Sequence, residues 1–468
     1  MRIPLNITGG SYASRSLPLS AQTTRNFYPE FQEDPFTKDR YVLMPFPGYK
    51  AFGSSSGADR GMLEHKGVLY KVSGITLHSV TNAGVHTTLG TVEGSGQCVM
   101  EGINSNVVIA TKQGLVYRYN GSTVKEITDA DLETPDWVAH LNSTMIYGGD
   151  DGRFAVSAVG DATSINGLDY ATAEIDADDL IRGVSFQQKA YFFGEKTTEI
   201  WNFTGVGRPP MDPVPGAAKT IGIAGRTAVD SNDAYLYFLA DDRKVFRASQ
   251  GQFEPVGNIA LSNAFESYST VDDAIGACFT IQGQNFFHLA FPTEDKSWVF
   301  HEPTGQWFEL NRSGSTGRGP GNSFVYAYGK ALCADYRDSN IYQLDVDTFT
   351  ENGSAITRQR DTGPIHSGLL GSPGSYVELN RLELILARGV GILTGQGSAP
   401  TISLQISIDG GRTFGTEFWS TVGGMGDFDH KVIWTGLGRF ESAVLRFKTS
   451  DPVLYSIHSG AMDVELVI

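Results

Sequence analysis

Val107-Val108-Ile109-Ala110, then Lys112-Gln113-Gly114, then Leu115-Val116-Tyr117 is an apolar run, a turn and a returning apolar run. β-Branched and aromatic residues fit a pleated, half-buried surface, and glycine supplies the positive φ of a tight reversal. The stretch therefore reads as a β-hairpin. Ala234-Tyr235-Leu236-Tyr237-Phe238-Leu239, Asp241-Asp242 and Val245-Phe246 repeat the design. Such hairpins start near Gly67, Val107, Met145, Ala190, Ala234, Asn285 and Lys330, at spacings of 40, 38, 45, 44, 51 and 45 residues.

A second hairpin often follows the first. Tyr119-Asn120-Gly121-Ser122 carries the Asn-Gly pair favoured in type I′ turns. Trp298 to Phe308 reads as a strand, a Pro303-Thr304-Gly305 turn and a returning strand. Four short strands per unit of roughly 40–50 residues describe a propeller blade. No WD or kelch signature marks the units, so spacing alone sets the expectation of about seven blades, with six or eight open. Blades bury their faces against neighbours, which requires a closed ring.

The pattern changes near residue 372. After Ser372-Pro373-Gly374 come longer alternating strands: Leu382 to Leu386, Ile402 to Ile408, and Val444 to Lys448. These suit half-buried strands of a small β-sandwich, with Gly395-Gln396-Gly397-Ser398 as a loop. The expected fold is all-β, in three parts. Residues 1–55 form an extended segment that wraps or closes the propeller, 56–372 the propeller, and 373–468 the sandwich.

Composition agrees. The 468 residues include 55 glycines, 27 phenylalanines and 19 tyrosines, with 40% hydrophobic and 19% charged residues. That supports a large core with Gly-rich turns. The net charge of −16 and the lack of a basic run disfavour sequence-independent gripping of DNA, which needs local positive charge. Cys98, Cys278 and Cys333 are far apart and odd in number, so buried free thiols are expected rather than a disulfide framework. The N-terminus lacks the apolar core of a signal peptide, and no stretch is long enough to span a membrane. The expectation is a chain made and folded in a reducing cytoplasm.

Motifs for chemistry are weak. Ser407-Ile408-Asp409-Gly410-Gly411-Arg412-Thr413-Phe414 looks like the Asp-box of sialidase-like propellers, a braced turn rather than a catalytic device. Gly53-Ser54-Ser55-Ser56-Gly57 fits GxSxG but lies in a Ser/Gly stretch that reads as a loop, without the strand and helix of a nucleophile elbow. Asp176-Ala177-Asp178-Asp179, Asp241-Asp242 and Asp345-Val346-Asp347 lack the spacing of a calcium loop and read as solvated turns. The nine histidines show no zinc spacing. No catalytic, cofactor-binding or metal-binding residue is assigned, and no cofactor is expected.

The chain resembles the packaged-DNA stabilisation proteins of short-tailed bacteriophages (podophages), also called tail hub or nozzle proteins. Several segments carry the likeness. Asn26-Phe27-Tyr28-Pro29-Glu30 precedes Val42-Leu43-Met44-Pro45-Phe46-Pro47-Gly48. Phe193-Gly194-Glu195-Lys196-Thr197-Thr198-Glu199-Ile200-Trp201-Asn202-Phe203-Thr204-Gly205 is followed by Gly222-Ile223-Ala224-Gly225. Asp409-Gly410 and Arg412-Thr413-Phe414 precede Lys431-Val432-Ile433-Trp434-Thr435-Gly436-Leu437-Gly438-Arg439.

The resemblance implies a non-enzymatic virion protein of the phage tail, made in the bacterial host cytoplasm. It implies a ring, usually of six copies, below the portal and its adaptor. Such a ring continues the DNA channel, retains packaged DNA until ejection and carries receptor-binding spikes or fibres, with a tail needle as a further candidate partner. Duplex DNA would pass without sequence-specific contact between subunits, in the lumen of the cyclic ring. Acidic groups facing that lumen would avoid phosphate contacts. Two other readings stay open: a carbohydrate-binding propeller or adhesin, and a sialidase-like glycosidase. The latter requires paired carboxylates in one pocket.

Overall fold

The structure is a computed structural model and describes residues 1–33, 40–149, 152–173 and 178–467. The hairpins that open the sequence argument pair the second strand of a sheet with the third, and each starts at one recurring place, the reversal between a first and a second strand. Asp59–His65 turns into Val68–Ser73, Trp137–Leu141 into Thr144–Gly148, and Ile275–Ile281 into Gln284–Phe291. At Lys66-Gly67, Asn142-Ser143, Gln187-Gln188, Gln282-Gly283 and Tyr328-Gly329 both turn residues have positive φ. That is the type I′ signature, whose twist matches the flanking strands.

Six sheets are each built on four consecutive strands, over residues 59–91, 99–126, 137–172, 180–213, 229–255 and 275–309. We number these as blades in chain order. A seventh sheet is composite. Its strands Gly321–Ala327, Lys330–Asp335 and Asn340–Asp345 take a fourth, Gly48–Ser54, from the N-terminal segment. Gly321–Ala327 packs against Asp59–His65 of blade 1, which closes the ring. The expected count, about seven with six or eight open, thus meets six consecutive-strand blades and one sheet made from both ends of the propeller.

The seams between blades hold the core. Trp137, Tyr147, Phe154 and Phe192 are buried together around blades 3 and 4, and Phe154 stacks on Phe192 at 4.1 Å. Tyr237 and Phe287 stack at 5.1 Å between blades 5 and 6. Each such ring buries a large apolar area and gains from offset stacking, worth about 0.5–1.5 kcal/mol beyond burial. The seam between the closing sheet and blade 1 is thinner, with Leu69, Val80, Ala327, Leu332 and Ile341 as its buried cluster. Polar bonds supplement it. The fully buried Lys71 donates from Nζ to the Ser339 carbonyl at 2.7 Å, and Ser323 Oγ donates to Asp59 Oδ2 at 2.6 Å.

The sandwich shares a sheet with blade 6. Beyond Gln306–Glu309 the order continues through Ala21–Arg25, Arg358–Asp361, Ser442–Thr449, Thr401–Ser407 and Phe418–Thr421. The facing sheet runs Phe27–Phe31, Tyr41–Pro45, Ile457–Val467, Tyr376–Leu386 and Val432–Thr435. Between them lies a core that includes Leu382, Leu404, Trp434, Leu445 and Phe447. The N-terminal segment therefore supplies strands to both halves of the molecule. Arg360 pins it: fully buried, its guanidinium donates to Ile7 O, Gly10 O, Thr24 Oγ1 and Gln22 Oε1 at 2.6–3.0 Å.

Three local expectations are corrected. Gly53 and Ser54 are not loop residues but end the closing strand, in register with Ile341 and Asn340. Gly53 lies flush on Gly84, whose carbonyl a Cβ would meet at 2.5 Å, so glycine here serves close packing. Gly57 still leads into a strand, Asp59–His65, and not into a helix. At Asn120-Gly121 only the glycine has positive φ; Asn120 Oδ1 accepts from the Ser122 and Thr123 amides, an Asx turn rather than type I′. All three cysteines are free, but Cys333 alone is buried while Cys98 and Cys278 are half-buried. Desolvation still pushes the Cys98 thiol up to about 11.

Candidate functional site: the propeller channel

Seven inner strands surround a central channel, and polar residues that precede or begin several of them line it. Two cavities of about 660 and 640 Å³ occupy the channel, and Gln97, Arg226, Thr227, Ile275 and Asn322 line both. Arg226 precedes blade 5 and reaches across the ring. Its Nη1 donates to the Asp136 carbonyl of the chain leading into blade 3 at 2.5 Å, and its Nη2 to the Gln97 carbonyl leading into blade 2 at 2.6 Å. The Asp136 carboxylate lies 3.4 Å from Nε. Arg226 is thus a staple that divides the channel.

Charges in the two cavities differ. The larger has Asp59, Asp136, Asp272 and Asp273 against Arg60, Lys112, Arg226 and Arg318. Arg60 is saturated by carbonyls, donating to Gly74, Val92, Glu93 and Gly96. Arg318 lies over the Tyr336 ring at 3.5 Å, a cation–π contact. The second cavity gathers Glu64, Glu101, Asp230 and Asp233 around Arg182 and Arg226. Burial pushes Glu101 up to about 7 although Arg182 opposes the shift, and Asp230 up to about 6 although the Cys278 and Ser231 amides donate to it. Burial also draws Arg182 down to about 10. Desolvation by the surrounding protein makes charge costly for all three groups.

The motifs legible in the sequence lie elsewhere. The Asp-box turn belongs to the sandwich: Asp409 Oδ1 accepts from Ser407 Oγ and from the Arg412 and Thr413 amides. The Thr413 hydroxyl on Oδ2, first of all, and then these bonds hold its carboxyl well below the usual range. The turn packs on the N-terminal segment, with Gly410 against Pro18. The acidic pairs brace turns. Asp241 accepts from the Gly222 amide and Lys196, Asp345 from Lys50 and the Asp347 amide, and Asp178 from Thr197. Asp176 and Ala177 lie outside the described residues. Among the described residues no group of three His, Cys, Asp or Glu side chains is placed to hold a metal ion.

Sequence reading missed Gln97, Arg182, Arg226, Asp273, Arg318 and Asn322 as a set. Most lie just ahead of a recurring hairpin, in its first strand or the residues leading into it. A polar residue repeated at that phase was the available signal. Of the segments that carried the family resemblance, Gly222-Ile223-Ala224-Gly225 reaches this site. Ala224 and Gly225 line the larger cavity, and a Cβ on Gly225 would strike the Asp272 carbonyl.

Two family models match the chain. Residues 1–349 match the family model described as bacteriophage P22 Gp10, beta-propeller, and residues 365–465 match bacteriophage P22 Gp10, beta-sandwich. No curated protein matches the chain. Among solved structures, streptogramin B lyase is similar at 10% identity and a TM-score of 0.44, over 63% of this chain and 96% of that one. The Neurospora crassa Pan2 WD40 domain is similar at 10% identity and 0.43, over 64% and 96%. The computationally designed Ika8 protein is similar at 11% identity and 0.40, over 64% and 99%. None of the three bears on activity or partners. The chain belongs to the bacteriophage P22 Gp10 family of phage tail-hub and DNA-stabilisation proteins, and is a phage structural protein, a virion component built from that family's propeller and sandwich.

Proposed function

We propose that this protein is one subunit of a cyclic ring, of six copies, that forms the tail hub or nozzle below the portal and adaptor. In this reading the ring extends the DNA channel, retains packaged DNA until ejection and anchors spikes or fibres on its outer face. The observation that carries the reading is the match of both Gp10 family models, in order, along most of the chain. Two physical features support it. Arg226 bridges three blades across the propeller channel, so that channel is no path for duplex DNA, and passage falls to a lumen between subunits. The sheet shared by blade 6 and the sandwich, joined where Arg25 pairs with Glu309 and the Asn26 amide donates to the Glu309 carbonyl, ties the two halves together through the backbone. The three-part division at residues 55 and 372 belongs to this proposal, with 1–55 as the segment that clasps the propeller.

The role is structural rather than catalytic. A net charge of −16 keeps phosphate from adhering to a sliding surface. The test is genome retention. Particles assembled without this protein should leave their DNA open to nuclease, and adding the purified chain should restore protection. Particles that keep their DNA without it, under the same nuclease treatment, would refute the retention role.

A further inference from the structure

Among the described residues, buried ring nitrogens without a hydrogen-bond partner occur at three histidines: His78 Nε2, and both nitrogens of His86 and of His288. All three stand at the seams of the closing sheet, with blade 1 on one side and blade 6 on the other. On the blade 1 side, His78 and His86 meet edge to face at 5.7 Å. His86 rests on the closing strand, where a Cβ on Gly53 would come within 3.0 Å of its Nε2. His78 is 5% exposed, and its Nδ1 has only the Thr88 hydroxyl, at 3.5 Å. Lys71 is fully buried in the same seam and donates to the Ser339 carbonyl of the closing sheet. On the blade 6 side, the fully buried His288 lies 4.9 Å from the ring of Phe324, in the closing sheet, and the charge that faces it is Arg318.

Nothing in the closed fold compensates a proton on these rings. An imidazolium donates from both nitrogens, and here it would meet a buried cation instead of acceptors. Burial, then Lys71, holds His78 and His86 below the ordinary value, His86 at about 4, and burial with Arg318 holds His288 at about 3. The other charged groups of the seams face the two cations. Asp59, Asp335, Asp338 and Cys333 surround Lys71, and Tyr336, Asp295 and Asp273 surround Arg318. Lys50 of the closing strand is paired with Asp345. Asp59, itself raised by burial, favours the closed state in acid and offsets part of the effect. A histidine depressed in the closed state contributes stability above about pH 6.5 that is lost as pH falls towards the closed-state value.

We propose that the closing sheet is an acid-released latch of the propeller ring. At neutral pH, uncharged imidazoles seal it between blades 1 and 6. In acid, protons captured by His78, His86 and His288 hold the seams open and free the closing strand Gly48–Ser54. At pH 5, each histidine with a closed-state value of about 4 or below favours the open form about 30-fold.

Hydrogen exchange on the full chain tests this, compared at about pH 7.5 and pH 5 after correction for the intrinsic rate. Glu101 in blade 2 titrates in the opposite sense, so local protection is the readout and not the melting temperature. Amides along Gly48–Ser54, Gly321–Ala327 and Asn340–Asp345 should lose protection by about 30-fold or more at pH 5. Blades 4 and 5, which contain no histidine, should change by less than about threefold. His288→Phe keeps a ring against Phe324 and removes one titrating group. Combined with His78→Gln and His86→Gln, it should cut the acid loss to less than about threefold. Wild-type closing-sheet protection that falls no more than that of blades 4 and 5 would overturn the proposal, whether or not the variants fold. So would a triple variant, folded at neutral pH, whose acid loss is undiminished.

Discussion

Arg360→Leu should release the N-terminal segment before it unfolds anything else. The wild-type guanidinium is fully buried and donates to Ile7 O at 2.7 Å, Gly10 O at 3.0 Å, Thr24 Oγ1 at 2.8 Å and Gln22 Oε1 at 2.6 Å. Leucine leaves all four oxygens without this donor. Each buried acceptor so orphaned costs about 1–3 kcal/mol. Thr24 keeps its own bond to Gly9 O, and removal of a desolvated cation offsets part of the loss. The balance is about 3–5 kcal/mol, near the upper end for single substitutions. Hydrogen exchange is the appropriate assay, because a chain with two packed modules is not described by one unfolding transition. Protection of the Ser11 amide, bonded to Trp307 O, and of the Asn26 amide, bonded to Glu309 O, should fall by roughly 10²–10⁴-fold. Blades 2 to 4, which Arg360 does not touch, should keep theirs. Arg360→Lys, with one point charge in place of a planar fork, should fall between the two. A folded Arg360→Leu protein whose Ser11 and Asn26 protection changes less than about tenfold would refute the reasoning.

Glu101 makes a pH prediction. Its carboxyl is raised to about 7 in the folded chain, so the folded state holds the proton more tightly than the unfolded one. The stability this contributes is full below the ordinary carboxylate pKa and is lost as pH rises through about 7. Glu101→Gln should flatten thermal stability between pH 5 and pH 8 and raise it at pH 8 by on the order of 1–3 kcal/mol. A variant with an undiminished slope would place the effect elsewhere. Gly53→Val sets a side chain against the Gly84 backbone. It should cost about 1–3 kcal/mol, read as lost amide protection along Asn340–Asp345 and unaltered protection in blades 3 and 4. Asp409→Ala should expose the Arg412 and Thr413 amides, which donate to that carboxylate, to fast exchange while the sandwich core keeps its protection. In the wild type the same loosening should set in only as pH falls below the ordinary aspartate range, because the bonds to Ser407 and Thr413 depress that carboxyl.

Propeller and sandwich were legible because both are written in local pattern. Alternating runs such as Val107 to Tyr117 encode a hairpin without reference to distant residues, and the longer runs after residue 372 encode the sandwich strands. The N-terminal segment was harder. Gly48–Ser54, with two glycines and a lysine, has little strand propensity, and its partner Asn340–Asp345 lies far along the chain. Pairing at that separation leaves no local trace. The type I′ reversals also escaped recognition, since Asn142-Ser143 and Gln187-Gln188 hold positive φ without glycine. At Asn120 a side-chain bond to the Ser122 and Thr123 amides overrode the turn preference of Asn-Gly. The channel was invisible for a different reason. Gln97, Arg226 and Asp273 come from three different blades and Arg318 and Asn322 from the closing sheet, and single polar residues acquire meaning only when the ring brings them together.

The central claim is the hub ring, and electron microscopy of the purified protein mixed with the portal–adaptor complex of the same phage tests it most directly. The account predicts a ring of six subunits continuing the portal channel, with the open lumen between subunits and each propeller channel closed at Arg226. Single propellers that never join the portal complex, or density for duplex DNA threading the propeller itself, would contradict it.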